Sequence, residues 1–234
     1  MDILFEVKGL DAWYTKDKKI LQQLDLDIHS NQIIGLLGLN GAGKTTFLNV
    51  LSGLHNDYDA KKIKYNQKDV KLRDNQFKKE RYIVFSEDDS FGYFNFDEYI
   101  RYVFKTYKKD FDKDYVDELV HKFNFENYRA VMIKDLSMGN RRKAYLITGF
   151  ALKTKLLLLD EPVNGLDFQS TEVLYELIID YRKYGTVLFS SHVLESVTLT
   201  SDKVIILEKG NITKSFDKEN INPANIRSSL DFEN

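Results

Sequence analysis

Apolar and charged side chains alternate at the start of the chain. Residues 3–7 set the charged Glu6 between the apolar Phe5 and Val7, and Leu24, Leu26 and Ile28 alternate with Asp25, Asp27 and His29. This is the period of strands with one buried and one wet face, so a small antiparallel β layer is predicted first. Residues 33–37 are instead an unbroken apolar run; it enters a glycine-rich loop at 38–43, and a helical pattern follows over 45–54 that stops at Gly53. A strand is predicted over 82–85. From residue 96 to about 125, Tyr99, Val103, Tyr107, Tyr115, Leu119 and Phe123 recur at helical spacing between Lys and Asp, which predicts a helical insertion. After Gly149 the β/α alternation returns, with strands over 156–159, 186–190 and 204–207 and a helix over about 170–184. The expected fold is α/β: a parallel sheet interrupted by a helical subdomain, preceded by the antiparallel layer. Residues 217–234 are polar, contain Pro223 and show weak periodicity, and the Lys- and Asp-rich segments 61–79 and 108–114 read as solvated surface.

Composition narrows the classes. With 234 residues and 43% hydrophobic content the chain can bury the core of one large domain or two small ones. Thirty-four Lys and Arg against 36 Asp and Glu give a net charge of -2, so there is no overall pull toward nucleic acid or anionic lipid, and no nucleic-acid partner is expected. No cysteine is present, which removes disulfides and thiolate metal sites and fits a reducing compartment. Residues 1–10 lack the apolar core of a signal peptide, and no stretch approaches the roughly 18 apolar residues of a spanning helix. Any service to a membrane is expected from its cytoplasmic face.

Two motifs carry chemistry by themselves. Gly38-Leu39-Asn40-Gly41-Ala42-Gly43-Lys44-Thr45 fits G-x-x-x-x-G-K-[ST], in which backbone N–H groups curl around phosphate oxygens, the lysine neutralises charge and the hydroxyl holds Mg²⁺. At ordinary residue frequencies a chance match in a chain of this length is on the order of one in a hundred. Residues 156–159, four leucines, end in Asp160, Glu161 and Pro162, which puts two carboxylates at the carboxyl edge of a buried strand, where α/β sheets hold ligands. One carboxylate can hold Mg²⁺ through its water shell and the next can polarise an attacking water.

A third motif is more specific. Leu136-Ser137-Met138-Gly139-Asn140, followed by Arg141, Arg142 and Lys143, resembles the signature motif of the ATP-binding cassette family, usually LSGGQ. Val163-Asn164-Gly165-Leu166-Asp167 resembles that family's D-loop, and Ser190-Ser191-His192 its switch histidine, in the family's order and over nearly the whole chain. The resemblance implies a P-loop NTPase fold with a mixed, mainly parallel sheet core. It implies one ATPase domain: a RecA-like core over about 1–85 and 150–215, a helical subdomain over about 86–149 and a polar tail over about 216–234. Its ligands would be ATP and Mg²⁺. Phosphates would be held by Gly38, Asn40, Gly41, Ala42, Gly43, Lys44, Thr45 and Thr46, and Mg²⁺ by Thr45 and Asp160. Adenine would stack on an aromatic near the start, Trp13 or Tyr14, with alignment through Val7, Lys8 and Leu10 favouring Tyr14.

The same resemblance implies catalysis by Glu161 as base, with Lys44 and His192 at the γ-phosphate. Two copies would pair head to tail, Ser137 and Gly139 of each reaching the ATP bound on the other, beneath a separate integral membrane permease. The chain departs from the pattern after the strand 82–85: the usual glutamine is replaced by Ser86 or, with a one-residue gap, Glu87, which could still touch Mg²⁺ or water. Phe91, Tyr93 and Phe94 beside this loop are expected either as exposed docking aromatics for the permease or as core. Residues 191–195 with 202–210 look similar to bacterial exporter ATPases of the bacitracin and lantibiotic-peptide type, favouring export of a peptide, drug or lipid-like compound. Two alternatives remain at this level: a soluble single-cassette regulatory ATPase acting on ribosomes or DNA, and a weakly hydrolysing assembly subunit.

Overall fold

The computed structural model of the chain describes residues 2–229. β1 (Ile3–Thr15) and β2 (Lys18–His29) form the expected antiparallel pair, with Phe5 opposite Ile28 and Val7 opposite Leu26. Both strands outrun the alternating segments, because register shifts between Val7 and Trp13 erase the period of two: Leu10, Asp11 and Ala12 are all buried in succession. β3 (Ile33–Leu37) is buried throughout and leads to α1 (Lys44–Ser52). That helix stops where predicted, at Gly53, whose left-handed conformation lets its N–H return to the carbonyl of Val50.

Residues 61–79 correct the sequence reading. β4 (Tyr58–Asp59) and β5 (Lys62–Tyr65) pair with β1, β6 (Lys68–Asp69) pairs with β5, and α2 (Asn75–Lys78) follows. The lysines are surface groups, as in the 2.8 Å pair between Lys62 and Glu6, but Leu72 and Phe77 are 0% and 3% exposed. The segment supplies two of the five strands of the antiparallel layer, held by a few apolar anchors.

β7 (Arg81–Val84) precedes the helical insertion, which contains α3 (Phe96–Tyr107), α4 (Lys113–Lys122) and α5 (Met138–Ala151). The helical insertion expected over 96 to about 125 is made there of two helices, α3 and α4. Lys108, at φ 55°, ends α3, and the Lys109 ammonium donates to the carbonyls of Leu152 and Lys153 just beyond α5, both at 2.7 Å. Together with half-buried Phe111, this makes part of the segment 108–114 a packing element rather than free surface.

β8 (Leu156–Leu159), α6 (Phe168–Asp180), β9 (Thr186–Ser191), α7 (Leu194–Thr200), β10 (Lys203–Glu208) and β11 (Asn211–Asp217) complete the second sheet. Its order is β11-β10-β3-β9-β8-β7, parallel except for β11. Strand parity divides the apolar runs between two cores. Leu157 and Leu159 face the helical side with Phe150 and Leu174; Leu156 and Leu158 face the antiparallel layer with Phe5 and Phe47. This is why these strands read as continuous apolar runs. After β11, α8 (Pro223–Arg227) buries Ile226 completely, so the polar tail is anchored; its residues 230–234 lie outside the described residues. Among the described residues no helix is long and apolar enough to cross a membrane.

Candidate functional site

In the parallel sheet β3, β9 and β8 are neighbours, so the segments leaving their carboxyl ends converge on one edge. These segments are the loop 38–43, His192, and the pair Asp160 and Glu161. Gly41 and Gly43 take φ 81° and 106°, and a Cβ on Gly43 would lie 2.9 Å from the Leu21 side chain. Glycine is therefore required there to turn the loop into the helix. Gly43 is the N-cap of α1 and supplies no side-chain cap, and the first turn has no acidic residue, so the N–H groups and the dipole of α1 are available to an anion. Gly38 and Ala42 are buried; Asn40 and Gly41 form the exposed crest.

Lys44 is only 5% exposed. Its ammonium donates to the carbonyls of Gly38 at 2.8 Å and Leu39 at 3.2 Å, and lies 3.2 Å from Glu161 Oε1. The other Glu161 oxygen, Oε2, is 2.8 Å from His192 Nδ1. Glu161 thus stands between a fixed cation and a half-exposed imidazole. Its own backbone is left-handed at φ 46°, and its N–H donates to Ser190 Oγ at 2.8 Å.

The Thr45 hydroxyl donates to Asp160, 3.0 Å from Oδ2 and 3.2 Å from Oδ1, and Ser190 Oγ donates to Asp160 Oδ1 at 2.7 Å. Two adjacent ligands of an octahedral Mg²⁺, each at 2.0–2.1 Å, sit about 2.9 Å apart, which is the Thr45 to Asp160 spacing. Among the described residues no group of three or more His, Cys, Asp or Glu could hold a metal. One hydroxyl and one carboxylate suit Mg²⁺ completed by phosphate and water rather than a protein cage. The residues therefore fit a Mg²⁺-nucleotide.

Tyr14, not Trp13, is presented at this edge. It is 59% exposed, its hydroxyl is 3.4 Å from Thr46 Oγ1, and its ring meets His55 edge-on at 4.8 Å. His55 is itself held by the Trp13 carbonyl at 2.9 Å.

Ser137 and Gly139 are placed elsewhere. Ser137 caps α5, its Oγ accepting from Asn140 N–H at 3.2 Å, and Met138 is 69% exposed. A Cβ on Gly139 would be 2.5 Å from the Gly165 carbonyl, so the signature packs directly on the D-loop. Asp167, at the end of that loop, caps α6 through Ser170 and pairs with Lys143 at 3.1 Å; these contacts, Ser170 foremost, hold its carboxyl down at about 2. Among the described residues no hydrogen bond links Ser137 or Gly139 to the phosphate loop. Ser86 and Glu87 are exposed and line a cleft of ≈ 270 Å³ with Met138, Arg141 and Asn164. Thr45 and Asp160 are not among the residues lining that cleft. Of the neighbouring aromatics, Phe91 and Phe94 are half-buried against the core, whereas Tyr93 is 80% exposed over the Lys134 ammonium.

Sequence reasoning passed over the roles of Ser190 and Arg142. Ser190 joins both carboxylate-bearing residues, and Arg142 donates to the main chain at Phe85, Asp160 and Glu161. Both lay inside motifs quoted for other residues; only a basic side chain at a buried helical position hinted at Arg142.

The chain matches the ABC transporter family over residues 21–164. It is 35% identical over 216 residues to the ABC transporter ATP-binding protein AlbC of Bacillus subtilis, covering 90% of each chain. To the uncharacterized ABC transporter ATP-binding protein YhaQ of the same species it is 33% identical over 219 residues, covering 88% of this chain and 72% of the relative. A solved ATP-binding subunit of an ABC transporter superposes with TM-score 0.81 at 23% identity, covering 97% of this chain and 92% of the other.

Proposed function

Since the chain belongs to the ABC transporter family as an ATP-binding, ATP-hydrolysing subunit, we propose that it works as a head-to-tail homodimer on the cytoplasmic face of a membrane, driving export through a separate permease. The observation that carries this reading is the convergence of Lys44, Thr45, Asp160, Glu161 and His192 on one sheet edge, while Ser137 caps α5 and Gly139 packs on Gly165 with no hydrogen bond from either to the phosphate loop among the described residues. A site that has its phosphate cradle but not its signature on the same copy is completed by a second copy. The surfaces involved carry large apolar side chains left in water: Leu39 in the phosphate loop, Met138 in the signature and Phe168 after the D-loop are 57%, 69% and 83% exposed.

In this reading ATP is the substrate, its phosphates on the loop 38–43 and the N-terminus of α1, its base on Tyr14. Thr45 and Asp160 would hold Mg²⁺, which would supply counter-charge to the phosphates. Lys44 brings a second positive charge to the transferring phosphoryl group, Glu161 accepts the proton of the attacking water, and His192 orients both from the far side of Glu161. Glu87, in the cleft beside the signature, is proposed as a contact to the permease or to the metal's water. The exported compound is proposed to be a peptide, drug or lipid-like molecule, on the likeness of residues 191–195 and 202–210 to exporter ATPases.

The test is sedimentation of the Glu161→Gln chain with and without MgATP. A dimer that forms only with MgATP is expected; a monomer under both conditions would overturn the pairing. In the same assay Phe168→Glu should weaken the dimer roughly 10- to 100-fold, the worth of burying one phenyl group. Tyr14→Ala should raise KM for ATP roughly 2- to 10-fold with kcat unchanged, since a ring stack contributes about 0.5–1.5 kcal/mol. Steady-state kinetics in ATP check this: a fall in kcat at unchanged KM would take Tyr14 out of the base site.

A further inference from the structure

Arg142 lies on α5 five residues beyond the signature serine and is 4% exposed. Its hydrogen bonds go to main-chain carbonyls: one terminal nitrogen donates to Phe85, the other to Asp160 and Glu161. Its Nε has no partner. Burying a guanidinium against neutral carbonyls is costlier than placing an apolar side chain there, so packing alone does not account for it.

The pattern of those carbonyls does. Asp160 and Glu161 carbonyls flank the backbone of Glu161, and one nitrogen reaches both because the left-handed turn at φ 46° brings them to the same side. A non-glycine residue visits that region sparsely and stays there only where its surroundings over-determine it. Arg142 holds the two carbonyls, and Ser190 holds the N–H between them. The third carbonyl, Phe85, opens the loop that carries Ser86 and Glu87.

We propose that Arg142 is a positioning residue for hydrolysis: it fixes the backbone of Glu161, aims its carboxylate, and ties that aim to the signature helix and to the loop after Phe85. This rests on the reading of Glu161 as the base. Burial pulls the guanidinium down to about 10, with Asp160 and Glu161 opposing the shift, so it stays charged at neutral pH. A lysine at this position keeps the charge but reaches fewer of the carbonyls.

Arg142→Met and Arg142→Lys, with Glu161→Gln beside them, decide the matter through kcat, KM, calorimetric ATP affinity and melting temperature. Arg142→Met should lower kcat roughly 10- to 100-fold, the loss expected for a base misplaced by about 1 Å. ATP affinity should stay within about threefold, and Arg142→Lys should recover part of kcat. Turnover of Arg142→Met within about twofold of wild type would overturn the proposal, as would kcat, affinity and melting temperature falling together in both variants. If the methionine variant does not fold, the lysine variant decides alone: a lower kcat at unchanged affinity supports positioning, and an unchanged kcat overturns it. Near-normal turnover in Glu161→Gln would remove the base itself, whereas an inactive Glu161→Gln with active Arg142 variants would remove only Arg142.

Discussion

Glu161→Gln should bind MgATP as well as the unaltered chain and hydrolyse it roughly 10²- to 10⁴-fold more slowly, the usual loss for a general base. The amide keeps the size of the side chain and can still accept from Lys44, so neither the left-handed turn nor the phosphate loop has reason to move. What it loses is the capacity to take a proton. It also removes a negative charge 3.2 Å from the Lys44 ammonium, which leaves more of that cation's field for phosphate and should hold or tighten ATP affinity. Phosphate release measured beside calorimetric binding separates the two effects. Near-normal hydrolysis would take Glu161 out of the role and pass it to His192 or to water held by Asp160.

Lys44→Ala should act on both quantities. Its charge is close to the phosphates in the bound ground state and in the transition state, so ATP affinity should fall at least about tenfold, or 1.4 kcal/mol, and turnover further still. The ammonium is also what the Gly38 and Leu39 carbonyls and the Glu161 carboxylate share. Removing one partner of a buried pair leaves the other uncompensated, a penalty on the order of 3 kcal/mol, so a lower melting temperature should accompany the kinetic loss. Unchanged ATP affinity by calorimetry would contradict the assignment of this loop to phosphate. Comparing the two variants is informative in itself: one cripples turnover with binding intact, the other cripples both.

The phosphate loop and the pair Asp160 and Glu161 were legible in the sequence because each is contiguous. A loop that wraps an anion must place its glycines, lysine and hydroxyl at set offsets, and a buried strand must end abruptly to deliver two carboxylates. The signature and D-loop were legible in the same way, although their contact through Gly139 and Gly165 was not, being made between segments far apart in the chain. The antiparallel layer was only half visible. β5 is four residues long with lysines on alternate positions, and its buried support comes from Leu72 and Phe77, too sparsely spaced to make a period. Arg142 and Ser190 stayed hidden for a related reason. Their partners are main-chain atoms and carboxylates brought in by other strands, and nothing in the local spacing of either residue announces them.

The bare contact between Gly139 and Gly165 bears on how this protein can change over generations. No side chain separates the two segments: a methyl group at 139 would press on a carbonyl at 2.5 Å, and any other residue at 165 would have to hold φ 79°. Neither position can drift alone, and the two are expected to show epistasis, a substitution at one being tolerated only after a compensating shift at the other. If one segment faces the neighbouring copy's nucleotide while the other leads away from this copy's own carboxylates, that constraint links the two halves of the machine. A gene duplication giving two unequal copies could then relax one site only by altering both motifs in concert.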